Sequence, residues 1–262
     1  MNTILGRLTL LMGISVCCVA AFSQQGISSN VISDLKSKDW KTRLSAYEQV
    51  KAVKTPDVGS VLLELLDRET QFMRTTRAES KGRLSVSDKY GESYLDYYHD
   101  LQDSVSRTAD WKDQRQLCVL AQSAYSPEST FSKRLVDKGG TLLTSCLLAM
   151  AKPNADENDR YMAIPVLVQL SAATQELPPS IKLQIQQVVR QGLADPSVGV
   201  RLATVRSLGR FGTAEMIPLL QNVANSDPQS RRLDNGEMFS DVRDTAAKAI
   251  QSIRSREQPN VH

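Results

Sequence analysis

The feature that most constrains this chain is an internal repeat near its C-terminal end. Val200, Ala203, Thr204, Ser207, Leu208 and Phe211 fall at i, i+3, i+4, i+7, i+8 and i+11, which is one buried stripe along an α-helix. A shift of 42 residues forward gives Val242, Thr245, Ala246, Ala249, Ile250 and Ile253, with small residues at matching places. A shift of 41 back gives Met162, Ala163, Val166, Leu167 and Leu170, and far upstream Ala46, Val50 and Val53 hold three of the same positions. An arginine stands near the start of each stripe: Arg43, Arg160, Arg201 and Arg243. Arg115, Leu117, Cys118, Ala121 and Tyr125 make a fainter copy. Behind these helices come chain breaks and second apolar helices, carried by Leu62, Leu65 and Leu66, by Ile185, Val188 and Val189, and by Leu219, Leu220 and Val223. One helical pair cannot bury both of its apolar faces, whereas stacked pairs can, and small residues on the shared face let neighbours approach. The pattern predicts an all-α solenoid of stacked helical pairs. An aromatic content of 5% and only 13 glycines point the same way, away from a β-sandwich.

The run that begins Asp195-Pro196-Ser197-Val198-Gly199-Val200-Arg201 and ends Gly209-Arg210-Phe211-Gly212 resembles the HEAT-repeat family in its short bacterial form. The resemblance is closest over 155–254 and extends, with fewer matches, over 31–69 and 109–152. It implies that the Asp at each turn and the Arg of the next helix form a polar ladder between repeats. That role would fall to Asp195 with Arg201 and to Asp39 with Arg43, while Arg243 has Asp241 and Asp244 beside it. It also implies a surface that binds a protein or peptide. Similar repeats occur in phycobilin lyases, so the alternative is a lyase-like or enzyme-accessory protein acting on a small molecule or cofactor.

At the N-terminus, Arg7 precedes an uncharged, mostly apolar run over 8–22, then Ala21-Phe22-Ser23 and polar Gln24-Gln25. Positive charge, apolar core and small-residue site are the order a secretory signal needs. As a helix the apolar run would reach only about 22 Å, short of a hydrocarbon core of about 30 Å. Cleavage between Ser23 and Gln24 is expected, with export to the periplasm or the extracellular space and no stable membrane insertion afterwards. The expected organisation is a signal peptide over 1–23, a short tail over 24–30, a solenoid over 31–256 and a disordered tail over 257–262. In an oxidising compartment Cys118 and Cys146 can either pair or remain two buried thiols, since both are flanked by apolar residues.

Two stretches break the repeat. The first, about 69–108, is expected to be a helical insertion. It carries Arg74 and Arg77 and then Tyr94, Tyr97 and Tyr98 at near-helical spacing. These five residues are the candidate partner contacts, because Tyr and Arg dominate many interfaces. Packing of the tyrosines against the stack is the competing expectation. The second stretch, 225–239, is long for a connection in a stack and is expected to be a binding loop or simply mobile.

No pattern carries catalysis. The two histidines, His99 and His262, lie far apart in sequence, and there is no phosphate loop or nucleophile elbow. The chain is expected to be no enzyme, and to use no cofactor and no metal. A formal net charge of +3 gives no electrostatic reason to expect nucleic acid.

Overall fold

The computed structural model describes residues 27–53, 55–79, 90–124, 126–174, 177–228, 231–232, 238–239 and 241–257. The expected signal peptide and its cleavage site, and residues 258–262 of the expected tail, lie outside them. The fold is an all-α solenoid of helical pairs. The chain divides into two compact units, Met1–Ala109 and Asp110–His262.

In the first unit, α1 (Ser29–Leu35) and α2 (Trp40–Val50) pack together, followed by α3 (Pro56–Glu79) and α4 (Glu92–Thr108). Asp39 starts α2 by accepting from the amides of Lys41 and Thr42, two of the donors a helix start leaves unmet. The hydroxyl and amide of Thr42 hold its carboxyl below the usual range. Gly91, at φ 86°, supplies the left-handed turn into α4. The described parts of the stretch expected as an insertion are helical and integral to this unit. Its first part is the C-terminal half of α3, and its second is α4, packed on α3 and α2.

The second unit begins with α5 (Gln114–Ser123), α6 (Thr130–Gly139) and, after a single 3-10 turn, α7 (Leu143–Met150). Cys118 on α5 and Cys146 on α7 are joined as a disulfide, with Cα atoms 5.2 Å apart. The chain continues as α8 (Glu157–Ala173), α9 (Pro179–Leu193), α10 (Val198–Phe211), α11 (Ile217–Ser226) and α12 (Asp241–Glu257). Helices α8, α10 and α12 lie side by side, with α9 and α11 packed behind them. These three are the helices of the repeated stripe, and its positions are buried except Phe211 and Thr245, which are half-buried. Small residues set the spacing. A Cβ on Gly209 would come within 3.0 Å of the Ala249 Cβ, and one on Gly192 within 2.7 Å of the Thr204 hydroxyl. Pro165, inside α8, cannot donate to the preceding turn, and its own carbonyl accepts from Ser207 Oγ on α10 at 3.0 Å. In the irregular stretch, α11 runs on to Ser226, and beyond it β1 (Arg231–Arg232) pairs antiparallel with β2 (Met238–Phe239).

Of the repeated arginines, Arg43, Arg160 and Arg201 are buried and Arg243 is half-buried, and their pairing corrects the ladder that the resemblance implied. Asp195 gives its carboxylate to Arg160, with Nε at 2.6 Å and Nη2 at 3.0 Å, and not to Arg201. Arg201 reaches forward to Asp227, at 2.7 and 3.3 Å. Arg43 reaches Glu69 and not Asp39, which is occupied as a helix cap. Each arginine also binds main-chain carbonyls in the turn before its own helix: Ser37 and Lys38 for Arg43, Ala155 for Arg160, Asp195 and Pro196 for Arg201. The unit of the ladder is therefore a guanidinium that ties the turn before its helix to a carboxylate further on. Arg243 continues the series by donating to the main-chain oxygen of Asp227 at 2.6 Å. Burial works against the charge on Arg43, but hydrogen bonding and attraction from Glu69 outweigh it and hold the guanidinium above its ordinary value. For Arg160 the bond from Asp195 raises it.

Candidate partner-binding surface

The tyrosines expected to meet a partner are in the core of the first unit. Tyr94, Tyr97 and Tyr98 are 0%, 3% and 2% exposed, which excludes them as a contact surface in this state and corrects that expectation. The physical reason is Glu69. This carboxylate is fully buried and accepts from Arg43, from the Tyr94 hydroxyl at 2.7 Å and from the Tyr97 hydroxyl at 3.0 Å. A buried carboxylate needs this many donors to offset lost hydration. Tyr98 bonds to Thr70 at 2.9 Å, and Tyr47 to Ser104 at 2.7 Å. Around the polar centre the rings of Trp40, Phe72 and Tyr94 pack edge-on or tilted, with the Arg43 guanidinium over the Phe72 ring. Burial first, and then the Glu69 charge and hydrogen bond, push the phenols of Tyr94 and Tyr97 well above their ordinary range. Of the two candidate arginines, Arg74 is half-buried on α3, and the side chain of Arg77 lies outside the described residues.

In the second unit the repeat leaves a surface that stacking does not consume. The row Tyr161, Pro165 and Gln169 on α8 faces Ala203, Arg206, Ser207 and Arg210 on α10, closing a narrow cleft rimmed by Ser126, Pro127 and Glu128. On the other flank of α10, Arg206, Gly209 and Arg210 face Thr245, Lys248 and Ser252 on α12 across a depression of about 330 Å³. Both hollows share Arg206, Arg210 and Glu128, so they adjoin along α10 and together make a trough in two parts that touches α8, α10 and α12. A second cleft, on the side of α9, has a more apolar lining of Ile185, Val189, Leu208 and Met216.

Sequence periodicity missed Glu69, Asp227 and the trough. For Asp227 a signal was present, since Asp227-Pro228 repeats the dipeptide Asp195-Pro196. Another lay in the spacing, because Arg43 to Glu69 and Arg201 to Asp227 are both separated by 26 residues. The charged trough residues Arg206, Arg210 and Lys248 lie off the stripe, where periodicity marks them only as solvated, while Ala203, Ser207 and Ala249 of its lining belong to the stripe.

Residues 144–238 match the family model of HEAT repeats, a segment covering most of the second unit's stack. HEAT repeats commonly serve as scaffolds for protein interaction. No curated protein and no solved structure matches the chain. Among the described residues no group of three or more His, Cys, Asp or Glu is placed to hold a metal ion, and no described helix is long and apolar enough to cross a membrane.

Proposed function

We propose that this chain is an exported, non-catalytic scaffold that holds a protein or peptide on the surface of its HEAT repeats. The observation that carries this reading is the trough across α8, α10 and α12. It touches helices of three successive repeats, and within its lining the exposed side chains of Arg206, Arg210 and Lys248 belong neither to the buried stripe nor to the arginine ladder. A solenoid whose periodic residues are committed to stacking is free to vary such a face. Export is supported by the leader-like order around Arg7 and by the Cys118–Cys146 disulfide, a bond that persists in oxidising compartments and is rare in reducing ones.

The test places a photo-crosslinking residue at Arg206, in the trough, and separately at Gln187, exposed on α9. Material from the exported fraction should give one defined adduct from position 206 and none from 187, with its N-terminus at Gln24. Equal adducts from both positions, or none from either, would count against the scaffold reading, and an intact Met1 in the cytosol would count against export.

A further inference from the structure

The charges lining the trough assign it a kind of partner, an inference that rests on the scaffold reading above. Arg206 and Arg210 sit four residues apart on α10, where like charges face each other along the helix and weaken it. Lys248 of α12 lines the same depression from the opposite wall. Three cations therefore converge on one hollow, with a single carboxylate, Glu128, on its lining. Glu128 reaches Arg210 at 3.1 Å, with both side chains about half exposed, so the pair is screened and readily exchanged. Arg206 and Lys248 are exposed, and among the described residues neither meets a carboxylate within ion-pair distance. Of the other acidic groups on these helices, Glu257 ends α12 and accepts from the Ala214 amide at 2.7 Å, and the rest lie near the N-termini. Glu157 on α8 already accepts from Ser197 Oγ at 2.7 Å, and Asp241 opens α12.

This concentration of positive charge contrasts with a chain that is nearly neutral as a whole. A cleft lined by one sign of charge focuses its field and selects the opposite sign. The cations are not alone: Tyr161 and Phe211 line the narrower part beside Pro127 and Pro165, and these offer apolar and ring contacts to side chains between the charges. Neighbouring helices in a stack are about 8–10 Å apart, so three of them span about 20 Å, or about six residues of extended chain. We propose that the trough binds an extended acidic segment of a partner protein, with carboxylates reaching Arg206, Arg210 and Lys248 and apolar or aromatic side chains between them.

The probes are two labelled octapeptides, one alternating Glu and Tyr and one alternating Lys and Tyr, titrated against the full-length chain by fluorescence anisotropy. The acidic peptide should bind at least tenfold more tightly than the basic one and weaken as salt is raised. The double variant Arg206→Glu, Lys248→Glu should lose at least tenfold in affinity for the acidic peptide. Glu128→Gln, which frees Arg210, should gain about two- to threefold. Neither variant should shift the melting temperature, because all three side chains are exposed and none is in the buried ladder. Preference for the basic peptide, or an unchanged affinity in the double variant, would overturn the acidic assignment and leave the scaffold reading standing. So would binding of phosphatidylglycerol vesicles in the absence of any acidic-peptide binding. If neither octapeptide binds and a random peptide library yields no ligand, the scaffold reading falls with it.

Discussion

At the residue scale, the most informative side chains are arginines doing structural work. Arg43, Arg160 and Arg201 are 2%, 8% and 7% exposed, and each divides its donors between a carboxylate and main-chain carbonyls of the preceding turn. Lysine could not do this, since a single ammonium cannot present two parallel donors to a carboxylate and a third to a turn. Truncating Arg201 would take the guanidinium from the buried Asp227 carboxylate and uncover two carbonyls together. Arg201→Ala should therefore destabilise the second unit by about 3 kcal/mol, the scale of a broken buried pair, seen as a lower urea midpoint. Changing Asp227 to Leu along with Arg201 to Met should recover only part of this. The pair would be gone cleanly, yet the carbonyls of Asp195 and Pro196 would still lack their donor. Full recovery in the double variant would show that the carboxylate alone matters and that the turn contacts contribute nothing.

At the element scale, helices α8, α10 and α12 were legible because their stripes recur with small residues in matching places, and the structure buries all of those positions but Phe211 and Thr245. Pairings between elements were less legible. A stripe says which face of a helix is buried but not what meets it, so Tyr94 and Tyr97 read equally well as core or as contact surface until Glu69, on another helix, was seen to lie beneath them. The same holds for the trough, since Arg206 and Lys248 come together only once α10 and α12 are side by side. The α5–α7 disulfide is another such pairing, bridging 28 residues of sequence. Closing a loop of this length restricts the unfolded chain by about 3–4 kcal/mol on the chain-entropy estimate. Reduction, or the double change Cys118→Ser and Cys146→Ser, should lower the thermal midpoint of the second unit accordingly. An identical melt with and without reductant would mean that the bond closes no loop the unfolded chain would otherwise explore.

At the scale of the whole molecule, the two units keep their polar groups in the core in different forms, and that difference predicts a response to alkali. The second unit relies on guanidinium–carboxylate pairs, which hold their charges far above neutral pH. The first adds two buried phenols bonded to a carboxylate that already carries the Arg43 charge. Removing a proton from Tyr94 or Tyr97 would place a second negative charge beside Glu69 in a buried site. Burial and Glu69 therefore raise both phenols above the value of 10.0 that they have in an unfolded chain. A group whose folded value is raised gives stability that is fully present below the unfolded value and is lost as pH climbs past it, because only the unfolded chain then releases the proton. The first unit should accordingly hold its stability up to about pH 10 and lose it progressively above. The transition would be followed by tyrosinate absorbance together with loss of helical circular dichroism. The double variant Tyr94→Phe, Tyr97→Phe separates this cause from general alkaline denaturation. It should be less stable at neutral pH, since Glu69 loses two donors at about 1–3 kcal/mol each, yet its stability should fall less steeply between about pH 10 and pH 12. If the variant and the parent chain lose stability with the same slope above pH 10, the phenols beneath Glu69 are not what the alkali titrates.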